Sequence, residues 1–530
     1  MLDPTDILRA HGSAVAGLSP DGTFEVAVAA TAQDTLALGG PGGRARLVRE
    51  HILSMSEDTW ADDPAMLLAL AASFRVSDAG NAIAALAYLD SADTILAGGD
   101  RDCSLIVLAR LLRATIYRAI GRLVDAAEQA EFAIRLADTA AAPLTERIML
   151  RAVALTQLGI CGTLLGQHDD ARTALQQGLA LGGDLSAETR IEALGCLALI
   201  DFSSGSAQST AKHLDVAVGL MGTVMTSADL PCAPVALAQA FVALECGRSS
   251  VARDLVSALT ASTRATEYEP LTLHVAALLY MAECQFLEAL EVLGDEQILI
   301  RGWQSPRMLQ SLHDADRATA LIHVGEMPAA RQLVARLTAD THHALCPARL
   351  SALLELTTGN LPDALAAAEG CLVLGDDHAP RTALYIEVLR ASAHDALGDS
   401  GMAAAGFDRA LAHAARTGER RAFTTLPADR LVSLLEAAAA RPQPVARRAV
   451  IDDLLRAATE GSQPAITPLS DRERVVLRRI ASGESVKRIA AELQVSPNTV
   501  KSQVRSIYRK LGASNRHEAV NQASAFGIAP

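Results

Sequence analysis

The side chains best suited to chemistry lie near the C-terminus, on one face of a predicted helix. Polar groups recur there every three or four residues, at Asn498, Ser502, Arg505 and Arg509, with Lys501 beside them. At about 100° per residue, an apolar stripe occupies the opposite side, made of Val500, Val504, Ile507 and Leu511. No Asp or Glu occurs between Glu492 and Glu518. Cations and short hydrogen-bonding groups on one helical face can contact guanine edges and phosphates, so the pattern predicts recognition of a DNA major groove.

Four helices are predicted around this face, because four capping residues mark helix starts. These are Ser470 (with Glu473 in the spacing of a capping box), Ser485, Ser496 (followed by Pro497) and Ser514. Gly483 separates the first two helices, and residues 493–496 form a short connection between the second and third. This is the spacing of a helix-turn-helix.

The tail resembles the LuxR-type helix-turn-helix family over residues 467–528. The shared motifs are LSDRE (469–473), Ile489, Ala490 and Leu493 of the second helix, TVK (499–501), KLG (510–512) and NRHEAV (515–520). Two positions depart from the family pattern: Arg488 stands where many members have Glu, and Gln503 where His is frequent.

The resemblance implies specific contacts to double-stranded DNA. Base contacts fall to Lys501, Ser502 and Arg505, and phosphate contacts to Thr499, Arg509 and Lys510. We add two further phosphate contacts, Lys487 and Asn498. The fourth helix is where the family's domains pair, which here indicates a homodimer through Asn515, Ala519, Val520 and Ala523.

The rest of the chain contains an internal repeat in which Gly precedes Ala by five residues. The pairs are Gly80/Ala85, Gly121/Ala126, Gly166/Ala171, Gly247/Ala252, Gly325/Ala330, Gly359/Ala364 and Gly398/Ala403, with Gly205/Thr210 and Cys284/Ala289 as substituted units. Gly ends a helix in the left-handed conformation, and a small residue in the next helix lets the two backbones approach. The spacing therefore predicts about nine helical hairpins.

These units resemble degenerate tetratricopeptide repeats, most clearly in residues 120–137 and 397–414. The resemblance implies an all-α fold, an αα-hairpin solenoid followed by the four-helix LuxR-type domain. We predict an N-terminal helical segment (1–64), the repeat solenoid (65–436), a linker with a short helix (437–466) and the DNA-binding domain (467–530). A concave repeat surface is suited to a small-molecule or protein effector.

Composition agrees with this division. The net charge is −14, yet residues 464–530 hold 11 basic and 5 acidic residues, so an acidic body carries a basic tail. Eight scattered cysteines without a CxxC pair indicate reduced core residues. No apolar run reaches the length of a membrane span, and the N-terminus lacks the features of a signal peptide, so we expect a cytoplasmic protein without a membrane partner.

Other kinds of site are not supported by the sequence. The large maltose-regulator-like activators, whose C-terminal part this chain resembles, carry an ATPase, but no Gly-Lys pair of a phosphate loop occurs here. His342, His343 and Cys346 lack further metal ligands at a recognisable spacing, and Trp303 is better explained by packing than by a ligand pocket. No nucleophile and base are arranged for catalysis. We therefore expect no enzyme, no cofactor and no metal.

Two functions remain open. The first is a sequence-specific transcriptional regulator, whose repeat body senses a ligand or partner protein and controls a dimerising DNA-binding tail, with RNA polymerase as a further candidate partner. The second is a helical-repeat scaffold for protein contacts, whose tail assists assembly rather than reading DNA. Activation or repression, the operator and the effector do not follow from the residues.

Overall fold

The computed structural model describes most of the chain. The described residues are 43–74, 79–98, 103–138, 144–181, 185–224, 232–264, 266–294, 306–339, 345–372, 378–460, 470–482, 484–510 and 519. Within them the regular structure consists of 25 α-helices and a 3₁₀ helix, Arg421–Thr425, without strands, which confirms the predicted all-α fold. Trp303, His342, His343 and the segment 1–42 lie outside the described residues.

The body comprises the first 22 α-helices. The first ten are α1 (Gly43–Ser54), α2 (Glu57–Trp60), α3 (Pro64–Ala72), α4 (Ala79–Gly98), α5 (Cys103–Ala119), α6 (Leu123–Ala137), α7 (Leu144–Leu165), α8 (His168–Leu181), α9 (Ala187–Ser203) and α10 (Ala207–Val224). The next twelve are α11 (Ala233–Glu245), α12 (Ser249–Ser262), α13 (Glu269–Ala282), α14 (Phe286–Leu293), α15 (Arg307–Val324), α16 (Met327–Val334), α17 (Pro347–Thr358), α18 (Leu361–Leu372), α19 (Pro380–Ala396), α20 (Ser400–Thr417), α21 (Ala428–Ala439) and α22 (Val445–Glu460).

Helices α3 to α20 pack in sequence as nine hairpins among the described residues, which confirms the predicted repeat. In eight of them the first helix ends at a residue with positive φ, and these are Gly121, Gly166, Gly205, Gly247, Cys284, Gly325, Gly359 and Gly398. At the Gly121 turn the Arg122 amide donates to the Tyr117 carbonyl at 2.8 Å, the long bond of a Schellman motif. The left-handed residue lets the chain reverse directly into the next helix.

The first hairpin departs from the predicted pattern. Gly80 lies in the opening turn of α4, so it does not end a helix, although Ala85 five residues later is fully buried as expected. A Gly-to-Ala spacing of five also arises by chance inside an Ala-rich helix, and spacing alone cannot separate the two cases. Elsewhere the small residues act as predicted: a Cβ added at Gly162 of α7 would lie 3.0 Å from the Ala171 Cβ of α8.

Hairpins that are distant in sequence also touch. Gly205, which follows α9, lies against Pro380 at the start of α19, and the Arg420 amide donates to the Glu245 carbonyl at 2.6 Å. The residues that meet here from the two parts of the chain, namely Phe202, Glu245, Arg381, Glu419 and Arg421, are called the seam below. A cavity of about 130 Å³ lies beside the seam. The solenoid therefore turns back on itself.

The segment predicted as a linker is partly body. Its short helix is α22, which packs against α20 and α21, and Val450, Ile451 and Leu454 are buried in the same core as those helices. The sequence shows a short amphipathic helix beside a Pro-rich segment, a pattern that is also typical of a linker. It does not show which helices this one packs against. The body thus extends to residue 460, beyond the predicted boundary at 436.

One apolar helix stretch exceeds what the sequence led us to expect. Residues Arg147–Leu165, in α7, are long and apolar enough by length and composition to cross a membrane, so the expectation that no run reaches that length was wrong. Of this stretch 72% is buried inside the protein, between α6 and α8 among its neighbours. That burial is typical of a core helix.

Candidate nucleic-acid interface

The tail folds around a small apolar core. Its described helices are α23 (Asp471–Ala481), α24 (Val486–Glu492) and α25 (Pro497–Lys510). The core residues are Val476, Leu477, Ile480, Ile489, Ala490, Val500, Ile507 and Ala519. The predicted stripe of α25 supplies Val500 and Ile507, which are fully buried, and Val504, which is partly buried against the core. The stripe fixes which face of α25 turns outwards.

Three of the four predicted caps form, at Ser470, Ser485 and Ser496, and the fourth, Ser514, lies outside the described residues. The Glu473 amide donates to Ser470 Oγ at 3.2 Å, and the Ser470 amide donates to Glu473 Oε2 at 2.8 Å, which completes the capping box. Ser496 likewise accepts from the Thr499 amide at 3.1 Å, and α25 begins at Pro497 as expected.

The second helix keeps its cap despite the departure at Arg488. The Arg488 amide donates to Ser485 Oγ at 3.3 Å, and its guanidinium pairs with Glu492 at 3.2 Å, one helical turn further on. Arg488 thus supports α24 through an exposed ion pair rather than through the reciprocal bond of a capping box.

The turn between α24 and α25 contains a feature that the sequence did not indicate. Gln494 has φ of 54°, in the left-handed region that glycine adopts most easily. The Val495 amide donates to the Ala490 carbonyl at 3.0 Å across this turn. No glycine at this position marks the turn in the sequence. The turn geometry follows instead from the packing of α24 and α25 on the same core.

The outward face of α25 carries the predicted base contacts. Lys501, Ser502 and Arg505 are exposed, as are Thr499 and, on α24, Lys487. None of the three cations Lys501, Arg505 and Lys487 forms an ion pair with another described residue. The face therefore presents cationic charge to solvent that no other described residue of the domain neutralises. The side chains of Asn498 and Arg509 lie outside the described set.

Lys510 differs from the expectation. Its side chain is 7% exposed, and its Nζ bonds Glu473 Oε2 at 2.8 Å, while Ser506 Oγ donates to Glu473 Oε1 at 2.8 Å. Burial alone would raise the pKa of Glu473, but these bonds and the Ser470 amide outweigh it, so the pKa lies below its ordinary value. The ammonium group ties the end of α25 to the start of α23 and is not displayed for a phosphate contact.

The predicted pairing helix is described only at Ala519. That residue is fully buried in the domain's own core, so its methyl group is not available at an exposed pairing surface. Asn515, Val520 and Ala523 lie outside the described residues.

Comparison with known proteins identifies this segment. Residues 467–523 match the family described as "Bacterial regulatory proteins, luxR family". Over 60 residues the chain is 55% identical to the probable transcriptional regulatory protein NarL of Mycobacterium tuberculosis H37Rv, covering 11% of this chain and 28% of that protein. It is 39% identical over 94 residues to the HTH-type transcriptional activator RamA of Corynebacterium glutamicum (16% and 34%). It is 49% identical over 57 residues to the regulator MalT of Serratia proteamaculans (11% and 6%).

The chain thus spans about a third or less of the length of these relatives. A solved structure of the APC/C hetero-tetramer Cut9–Hcn1 aligns with 81% of this chain and 99% of its own, at 12% identity and a TM-score of 0.26. A TM-score this low does not establish a shared fold, so the architecture of the body is known only from its own hairpins. The C-terminal segment, residues 467–523, is a LuxR-family helix-turn-helix domain, joined to a body of helical hairpins.

Proposed function

We propose that the protein is a sequence-specific transcriptional regulator that binds double-stranded DNA through α25. The observation that carries this proposal is the outward face of α25, where Lys501 and Arg505 lie exposed opposite the domain core, without an ion pair to any other described residue. Two other cations of the domain are held in internal pairs: Lys510 binds Glu473, and Arg479 binds Glu484 and Glu492. An α-helix fits into the major groove of DNA, where exposed cations on its outward face can contact base edges and phosphates.

The individual roles are assigned by position. Lys501, Ser502 and Arg505 contact base edges, while Thr499 and Lys487, at the edges of that face, contact phosphates. Asn498 and Arg509 remain phosphate contacts on the sequence alone. Lys510 is left out, because its ammonium group is held inside the domain.

The repeat body is proposed as the sensor that controls this domain. Its hairpins offer surface for a small-molecule or protein effector, and two copies of the chain pair on DNA through Asn515, Val520 and Ala523, without Ala519, which is buried in the domain core. NarL and RamA are named as a regulatory protein and an activator of transcription, which supports the same role here and makes RNA polymerase a candidate partner.

The proposal is tested by comparing one base-reading residue with a matched arginine on the body. The full chain is used to select duplexes from a random pool, and affinity is then measured on the selected and on random DNA. Arg505→Ala should cost about 1–3 kcal/mol on the selected duplex and relax preference at one base position. Arg135→Ala removes the same charge from an exposed site on α6 and should change neither affinity.

One result would exclude the proposed function. If neither the full chain nor residues 462–530 enrich any duplex above non-specific binding at low salt, the protein is not a sequence-specific transcriptional regulator. The scaffold function, in which the tail assists assembly, then takes its place.

A further inference from the structure

Two cysteines from the two helices of one hairpin meet a histidine that precedes the next hairpin. Cys346 precedes α17, Cys371 lies in the last turn of α18, and His378 lies two residues before α19. Their exposed fractions are 1%, 5% and 5%. One donor atom from each residue lies within 4.8 Å of the other two, and the two Sγ atoms are 3.2 Å apart. Three separate helix ends therefore bring sulfur and nitrogen ligands to one buried point.

We propose that Cys346, Cys371 and His378 bind a thiophilic divalent cation, zinc. Zinc takes Cys sulfur at about 2.3 Å and His nitrogen at about 2.0 Å in a tetrahedral arrangement. The tetrahedral edge between two such sulfurs is about 3.8 Å, so the observed 3.2 Å needs a side-chain adjustment of about half an ångström. A disulfide, at about 2.05 Å, would need the sulfurs to approach by more than an ångström and would leave the imidazole without a role.

The histidine is oriented as a ligand. Its Nδ1–H donates to the Ala379 carbonyl at 3.2 Å, so in the neutral ring the lone pair is on Nε2. Metal-binding histidines are commonly held by a bond of this kind from the other ring nitrogen.

Charge also favours a cation at this point. Two thiolates and one neutral imidazole around a divalent cation carry no net charge, so the complex can be buried without an unpaired ion. Binding displaces one proton from each thiol. The fourth position is left to water or another small donor, as in zinc sites with three protein ligands.

The site would tie α17 and α18 of one hairpin to the start of α19 in the next. It is independent of DNA recognition, since none of its ligands lies in the tail.

The test uses the full chain, purified with reductant and without chelator. We expect about one zinc per chain by elemental analysis, and a sulfur-to-cobalt charge-transfer band after replacement with Co²⁺. The His378→Gln chain should lose the bound zinc and the cobalt band, although it keeps both thiols. Cys371→Ser should do the same, whereas Cys284→Ser, which removes an exposed cysteine elsewhere in the body, should retain both.

Several results would overturn the proposal. They are a reduced wild-type chain that takes up no zinc or cobalt, a His378→Gln chain with unchanged stoichiometry and cobalt spectrum, or a Cys346–Cys371 disulfide in chain isolated anaerobically without reductant. Circular dichroism of His378→Gln shows whether loss of metal occurs in a folded chain. A chelator should lower the thermal midpoint of the wild type and leave that of His378→Gln unchanged.

Discussion

Two lysines on α25 differ in what their ammonium groups can reach. Lys501 is exposed on the outward face, whereas Lys510 is buried against Glu473 of α23. Both residues belong to the motifs that the tail shares with the LuxR-type family, so sequence likeness alone treats them alike. Their surroundings differ: the ammonium group of Lys501 faces solvent, and that of Lys510 is held within the fold.

This difference predicts opposite effects of the same substitution. Lys501→Ala should weaken DNA binding and reduce its salt dependence by about one counterion, with little change in unfolding. Lys510→Ala should lower the free energy of unfolding of the tail by about 3 kcal/mol, because it leaves Glu473 buried without its cation. Salt-dependent affinity and denaturant unfolding of both variants separate the two roles. Equal unfolding curves for the two would contradict the assignment to Lys510.

The outward face of α25 could be predicted from the sequence because it depends on helical periodicity, which is local. Lys501 and Arg505 follow from the position of the apolar stripe. The role of Lys510 could not be predicted, because its partner is 37 residues away on another helix. The metal-ligand set was missed for the same reason: Cys346 and Cys371 meet only when α17 and α18 fold as a hairpin, and His378 joins them only when α19 of the next hairpin stacks on it.

At the scale of helices, close packing depends on residues without a Cβ. Gly195 in α9 faces the start of α11, and a Cβ added there would lie 2.8 Å from the Val235 backbone nitrogen. Backbone cannot move aside as a flexible side chain can. Gly219 in α10 is also helical, but a Cβ there would meet nothing within 4 Å.

Substitution of these two glycines by alanine should therefore change the stability of the body in opposite directions. Gly195→Ala should destabilise the body by about 1–3 kcal/mol, the usual cost of overpacking. Gly219→Ala should stabilise it by about 0.5–1 kcal/mol, because alanine restricts the unfolded chain and favours the helix. Urea unfolding of both variants measures whether each substitution lowers or raises the free energy of unfolding. A neutral Gly195→Ala would mean that α9 and α11 are less closely packed than described.

The hairpins themselves were predictable because each turn needs one conformation at one residue. Seven of the predicted glycines adopt it, and so does Cys284, which is not a glycine but stands at the predicted turn with φ of 58°. Gly80 was misassigned because its spacing to Ala85 fits a helix interior equally well. Helix ends are thus set by local chemistry where a turn follows, and remain ambiguous where alanine is abundant.

At the scale of the whole molecule, the seam joins hairpins that the sequence separates widely. Arg381 Nη1 donates to the Phe202 carbonyl at 2.6 Å, across 179 residues, and its guanidinium lies 3.6 Å from the Phe202 ring centroid. Its Nε also donates to Glu419 Oε1 at 2.8 Å. No repeat pattern indicates which distant hairpins meet, because curvature accumulates from small rotations at every interface.

Arg381 should therefore stabilise the closed array as one cooperative unit. Its pair with Glu419 is buried, with side chains 13% and 4% exposed, so Arg381→Ala should cost about 3 kcal/mol, because Glu419 keeps only His413 as a basic partner and Phe202 loses both contacts with the guanidinium. The matched control is Arg409→Ala, whose pair with Glu387 at 2.7 Å lies at the surface and should cost under about 1 kcal/mol.

Urea unfolding followed by circular dichroism and by proteolysis measures both effects. Loss of the seam should also broaden or split the transition, since the two parts of the array then unfold with less coupling. If Arg381→Ala and Arg409→Ala unfold at the same midpoint with equal steepness, the seam does not hold the array closed.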